Sequence, residues 1–219
     1  MIDLLIYGNG KLAEFACQRF EKLGNYRVVG FTVDRAVLGE SELLGRPVVA
    51  FEDVIERFPP QQVQLFIAVG PVRINRIRRE RFEQAKALGY RFASYIAPTA
   101  VIADDCELGE NILIAEACVV QPGVRLGDNV HLGTSCVVAH HSHIGAHAFL
   151  AVAVVVSGTV EIGEAAFLGA NSTVRDRVRI GARCVVGAGV TIPGDTADGS
   201  VYSAPAPILL PIGSDQIPL

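Results

Sequence analysis

The sequence predicts two units of different construction: a small parallel α/β sheet, followed by a left-handed parallel β-helix of hexapeptide repeats. Three observations predict this. An aliphatic residue falls at every sixth position from Ile96 to Ile192, seventeen in unbroken succession. The residue after each aliphatic is Gly, Ala or Ser in fourteen of the seventeen hexads, and the fourth after it is always Ala, Cys, Ile, Val, Ser or Thr. Before this region, apolar runs alternate with glycine turns and charged helical stretches.

A helix repeats every ~3.6 residues and a strand every ~2, so a sustained period of six fits neither and marks hexapeptide coils. Three hexads make one triangular coil. Residues eighteen apart therefore lie on adjacent coils, about 4.8 Å apart in the stacking direction. The large aliphatic and the small fourth residue both point into a narrow core, while the residue after the aliphatic suits a tight corner. Hexapeptide coils run left-handed, against the usual crossover rule.

The opening segment reads as a βαβ unit. Leu4-Leu5-Ile6-Tyr7 is a buried strand, and Gly8-Asn9-Gly10-Lys11-Leu12-Ala13 is a glycine turn opening a helix through Leu23. Tyr26 to Val33 is a second strand ending in Asp34. Phe51 to Phe58 looks helical, Val63 to Val69 is an apolar strand meeting Gly70, and Arg73 to Leu88 is a charged helix. Phe92 to Tyr95 is expected to hand the chain to the first coil. The expected boundaries are 1–92 for a Rossmann-like nucleotide-sugar-binding domain, 93–196 for the β-helix, and 197–219 for an extended, proline-containing tail.

Composition narrows the function. Half of the residues are apolar, yet no apolar run approaches membrane-spanning length, and Asp3 interrupts the short apolar start with no basic residue before it. A soluble, cytoplasmic protein is expected. A formal net charge of -4 argues against nucleic acid as a partner. Four of the five cysteines, Cys106, Cys118, Cys136 and Cys184, occupy the small inward slot. They read as buried thiols packed as small hydrophobes.

Gly8-x-Gly10-x-x-Ala13 followed by Asp34 fits a phosphate-binding turn with an acid at the ribose. About 90 residues supply only half of a dinucleotide fold, enough for one nucleotide. A glycine turn serving only close helix–strand packing is the alternative.

All five histidines, His131, His140, His141, His143 and His147, fall within seventeen residues. Register places His140 and His141 at the two corner positions of their hexad, projecting outward, and His131 and His143 on outer faces. Gly158, eighteen residues beyond His140, lies one coil along at the same corner. An imidazole beside an exposed backbone N–H fits acyl transfer, with base and oxyanion donor side by side. A zinc site is the rival, but His140 and His143 point in different directions in this register, and no metal is expected. Arg177 and Arg179 are outward, placed to meet coenzyme phosphates or to balance Glu161, Glu164 and Asp176 on a solvated face.

The order of parts resembles sugar acyltransferases of the sialic-acid O-acetyltransferase-like family, which includes N-acetyltransferases of nucleotide-linked 4-amino sugars. The segments that carry it are Tyr7-Gly8 with Gly10-Lys11, Phe66-Ile67-Ala68-Val69-Gly70, Val138-Ala139-His140-His141 and Ser157-Gly158. The resemblance implies that His140 is the base taking the proton from a sugar amine as it attacks the acetyl-CoA thioester, with His141 beside it in the catalytic set. It implies that the Gly158 N–H meets the thioester oxygen, and that Ala170, Asn171 and Ala188 adjoin the pantetheine arm. Gly10, Lys11, Asp34 and Gly70 would hold the nucleotide. It further implies a homotrimer with each site between two β-helices, and a place in surface polysaccharide synthesis. Two positions depart from the family: His141 stands where many relatives carry an acid, and Phe149 where some carry a second histidine. O-acetylation, a zinc-dependent β-helix lyase and a non-catalytic nucleotide-sugar-binding protein remain the other readings.

Overall fold

In a computed structural model that describes residues 1–206, the chain opens with β1 (Ile2–Tyr7), α1 (Lys11–Leu23) and β2 (Tyr26–Val33). The apolar run of β1 is buried on both faces, as a central parallel strand requires. Helix α1 buries Ala13, Ala16, Cys17 and Phe20, the i, i+3, i+4, i+7 stripe. Glu14 lies in its first turn and Lys22 in its last, each matched to the helix dipole, and Gly24 ends it in the left-handed region at φ 80°.

The next elements are β3 (Glu42–Leu43), β4 (Arg46–Ala50), α2 (Val54–Arg57), β5 (Gln64–Ile67), α3 (Arg76–Ala87) and β6 (Arg91–Phe92). Sheet order is β3-β4-β2-β1-β5-β6, parallel except for the β3–β4 hairpin. The pair β3 and β4 was not among the expected strands. The expected helix at Phe51 to Phe58 is a 3₁₀ turn, Phe51–Asp53, running into the single turn α2. The charged helix begins at Arg76, because Arg73, Ile74 and Asn75 take left-handed φ values of 51°, 53° and 60°.

The handover strand is split between two sheets. Arg91–Phe92 closes the α/β sheet against β5, and Tyr95–Ile96 opens the first coil face against Leu113–Ile114. From there each hexad contributes one two-residue strand, stacked in parallel on the strand eighteen residues away. The three faces hold seven strands (Tyr95–Ile96 to Val201–Tyr202), six (Val101–Ile102 to Thr191–Ile192) and five (Glu107–Leu108 to Arg179–Ile180). The aliphatics and small fourth residues form one continuous core, with Cys118, Cys136 and Cys184 buried in it and Cys106 packed at its edge.

Stacking continues past Ile192, where an extended tail was expected. Val201–Tyr202 pairs with Val185–Val186, so the chain completes another strand of the seven-stranded face. Before it, Asp195, Thr196 and Asp198 accept from the N–H groups of Arg179, Gly181 and Ala182. Those side chains satisfy the last coil's exposed donors. The rest of the expected tail, 207–219, lies outside the described residues.

The α/β unit rests on the seven-stranded face. Arg78 of α3 is fully buried, donating to the carbonyls of Asn129, His147 and Ala148 and to Asn75 Oδ1. Asn75, also fully buried, donates to the carbonyls of Ala165 and Ala166.

Candidate active site

His140 and His141 occupy the corner between the six- and five-stranded faces, flanked by Val137–Val138 and His143–Ile144. Such corners require one left-handed residue, and His141 supplies it at φ 55°. Its N–H donates to the Pro122 carbonyl, and the His140 N–H donates to Gln121 Oε1 at 3.0 Å. The backbone of the pair is thereby held, and both rings stand off it.

The His140 ring lies over Gly158. A Cβ built there would sit 2.6 Å from both Cε1 and Nε2 of the imidazole, so a side chain is excluded. The Gly158 N–H has no acceptor among the described residues, while the Thr159 N–H beside it donates to the His140 carbonyl. On the far side of the ring, His140 Nδ1 is 3.2 Å from His141 Nδ1. A basic nitrogen and an unpaired N–H thus meet at one exposed corner. That combination can take a proton from a nucleophile and stabilise an oxyanion.

Ala170, Asn171 and Ala188 lie on a different corner, between the seven- and six-stranded faces. Asn171 is left-handed there at φ 57°, and the N–H groups of Ala170 and Ala188 have no acceptor among the described residues. One chain therefore does not bring them to His140. They sit at the opposite edge of the six-stranded face.

The nucleotide-end residues gather at the carboxyl ends of β1, β2 and β5. Gly8 (φ 127°) lets β1 approach β5, since a Cβ there would lie 2.7 Å from the Ala68 carbonyl oxygen. Gly10 starts α1 without a side-chain cap, leaving the helix N-terminus open to an anion. Lys11 is exposed and paired with Glu14 at 2.9 Å. Gly70 follows β5, with open space where a Cβ would stand.

Asp34 is already engaged on both oxygens. Tyr7 Oη donates to Oδ1 at 2.6 Å and Arg81 Nη2 to Oδ2 at 2.6 Å, while Arg81 Nε reaches Tyr7 Oη at 3.1 Å. Partial burial alone would raise the carboxyl pKa, but the bonds from Arg81 and Tyr7 outweigh it and hold Asp34 below its ordinary value. Burial, and then Asp34 itself, push the Tyr7 phenol up. Arg81 was missed by sequence reasoning, since it reads as one more cation of a solvated helix.

His131 differs from expectation. Its place before the aliphatic does turn it off the coil, but the α/β unit covers that face, and His131 is 1% exposed. Its ring stacks on Phe66 at 5.9 Å, and neither nitrogen has a hydrogen-bond partner among the described residues. Burial, with Arg78 nearby, pushes its pKa well down. Phe149 lies on the same covered face, tilted against His131 and 5.7 Å from the Arg78 guanidinium carbon. His143 is exposed on the five-stranded face. There Arg179 meets Glu161 at 3.9 Å, a solvated pair, whereas Glu164 is taken by Arg79 of α3. No group of three His, Cys, Asp or Glu among the described residues is arranged to hold a metal ion.

Family models for hexapeptide sequences match two stretches: bacterial transferase hexapeptide (six repeats) at residues 159–194, and hexapeptide repeat of succinyl-transferase at 100–139. No curated protein sequence matches the chain. Solved structures do, along almost the whole length. The acetyltransferase domain of PglB from Neisseria gonorrhoeae superposes with a TM-score of 0.83 at 29% identity, covering 92% of this chain and 96% of that one. PerB from Caulobacter crescentus, solved in complex with CoA and GDP-perosamine, gives 0.81 at 28% identity, covering 91% of this chain and 92% of that one. In its repeats and its fold the chain is similar to the hexapeptide-repeat sugar acetyltransferases. The PglB domain has also been solved in complex with acetyl coenzyme A, at 27% identity and a TM-score of 0.82. WeeI from Acinetobacter baumannii, 18% identical with a TM-score of 0.61, shares the fold of this acetyltransferase.

Proposed function

We propose that this acetyltransferase moves the acetyl group of acetyl-CoA to the amine of a nucleotide-linked amino sugar, with His140 as general base. The observation that carries this reading is the His140 imidazole over Gly158, whose N–H has no acceptor among the described residues. As the sugar amine attacks the thioester carbon, a C–N bond forms and the carbonyl electron pair moves to oxygen, which the Gly158 N–H receives. His140 Nε2 takes the amine proton. Collapse of the tetrahedral adduct breaks the C–S bond, and the departing thiolate of CoA recovers that proton. An amine needs less activation than an alcohol, which favours N- over O-acylation.

Gly10, Lys11, Asp34 and Gly70 bind the nucleotide end in this proposal, and Ala170, Asn171 and Ala188 offer backbone groups to the pantetheine arm. The two halves come together in a homotrimer. The six-stranded face carries an outward stripe of Val101, Val119, Val137 and Val155, of which Val101 is 65% and Val155 37% exposed. Such a stripe calls for a covering partner. Packing three copies around it sets the His140 edge of one against the Ala170–Ala188 edge of the next. Acetyl-CoA as donor supports a cytoplasmic reaction, and an acetamido sugar nucleotide suits surface polysaccharide synthesis.

The test is release of CoA from acetyl-CoA in the presence of a panel of amino-sugar nucleotides. Turnover with at least one of them, lost in His140→Asn while coenzyme binding persists, supports the reading. Binding of the nucleotides with no CoA release by the wild type makes the chain a silent binding module.

A further inference from the structure

Gly123 is a glycine that its backbone does not require. It stands in the left-handed corner slot at φ 71°, but the same slot recurs every six residues from Asn111 to Gly189, and twelve of those fourteen positions carry side chains. Ala117, Ser135, Ala153 and Thr159 are among them, at φ 57° to 62°. Left-handed φ is therefore tolerated throughout the stack without glycine. What sets position 123 apart is the ring above it: a Cβ there would lie 3.0 Å from His141 Cδ2 and 3.4 Å from its Cγ and Nε2. At Gly189, the other glycine of this slot, nothing lies within 4 Å of that point.

The seat matters because of where it aims the ring. With Nε2 and Cδ2 over Gly123, His141 turns Nδ1 toward His140 Nδ1 at 3.2 Å. Two neutral imidazoles in this contact hold one proton between their Nδ1 atoms. If His140 keeps the lone pair at Nε2 for the substrate, its own proton is on Nδ1, donated to His141, whose proton is then on Nε2. When His140 gains the amine proton, its Nδ1–H still has its acceptor. This is the orienting bond that a carboxylate makes elsewhere, made here by a second imidazole.

We infer that Gly123 is a positioning residue of the acetyl transfer: its missing side chain admits the His141 ring, which fixes the tautomer and orientation of His140. The inference rests on the reading of His140 as base. The test is a double-mutant cycle on the full chain, Gly123→Ala, His141→Ala and both together, with kcat and KM measured for each substrate. Gly123→Ala lowers kcat by about tenfold with both KM values unchanged, since misplacing a catalytic group costs rate. The double variant is no slower than His141→Ala alone. If Gly123→Ala retains wild-type kcat, or repeats its loss in the His141→Ala background, the inference is overturned. If Gly123→Ala does not fold but the double variant does, the clash is with His141 and the inference stands. Failure of both to fold overturns it. Retained turnover in His140→Asn would instead remove the base reading, a separate result.

Discussion

Asn129 Nδ2 lies 3.0 Å from Nδ1 of His147, eighteen residues further along the chain. The bond ends a directed chain: the Ile67 N–H donates to Asn111 Oδ1, Asn111 Nδ2 to Asn129 Oδ1, and Asn129 Nδ2 to His147. An amide that donates leaves His147 no room for a proton on Nδ1. Burial, and then Arg78, lower its pKa to about 4. Below the unfolded value of about 6.5 the unfolded chain binds a proton that the folded one refuses. Stability is therefore level above that pH, falls between about 6.5 and 4, and His131 adds in the same direction. Thermal melts across pH 4 to 8 check this: His147→Gln should lose less between pH 6.5 and 4 than the wild type does.

Gly158→Ala keeps the backbone N–H but places a methyl group 2.6 Å from the His140 ring. The imidazole must move, so kcat should drop by about 10²-fold, with acetyl-CoA affinity retained. Steady-state kinetics with coenzyme titration read both quantities. Unchanged kcat would place the reactive position of His140 away from this glycine.

Val155→Asp sets a carboxylate in the apolar stripe of the six-stranded face. In the proposed trimer, burying an unpaired charge between copies costs several kcal/mol, so the assembly should dissociate to folded monomers. Sedimentation should record the smaller species, and turnover should fall because the two corners no longer meet. An active monomer would show that one chain holds a complete site.

Arg78→Met keeps the length of the side chain but strips the donor from the carbonyls of Asn129 and His147, while that of Ala148 still accepts from the His131 N–H. Each unpaired buried carbonyl costs about 1–3 kcal/mol. A large fall in melting temperature is expected, together with a weakened hold of the α/β unit on the coils. Hydrogen exchange should then rise first in α3 and at the Asn129 and His147 corners.

The corner geometry was legible by counting. A period of six with three faces puts Gly158 against His140 from arithmetic alone, and turns the cysteines of positions 118, 136 and 184 into the core. What counting cannot see is which outer face another unit covers. His131 and His143 hold equivalent places in their hexads, yet one is sealed beneath the α/β unit, with Phe66 on its ring, and the other is in solvent. Arg78 was hidden for the same reason: its place in a charged helix resembles that of Arg76, which is exposed. Strand β4, Arg46-Pro47-Val48-Val49-Ala50, is short and contains proline, so its pattern is weak. Its pairing with β2 supplies what propensity does not.

The parallel ladder also makes the height of the molecule a quantity that changes in steps. From Leu113 to Ile192 each strand bonds to the one eighteen residues before it, so a whole coil inserted beyond Ile192 would leave every earlier corner in line. An insertion that is not a multiple of six would turn the next aliphatic out of the core. The His140 corner, in the middle of the stack, is thereby insulated from variation beyond Ile192, and length there can drift without touching the chemistry.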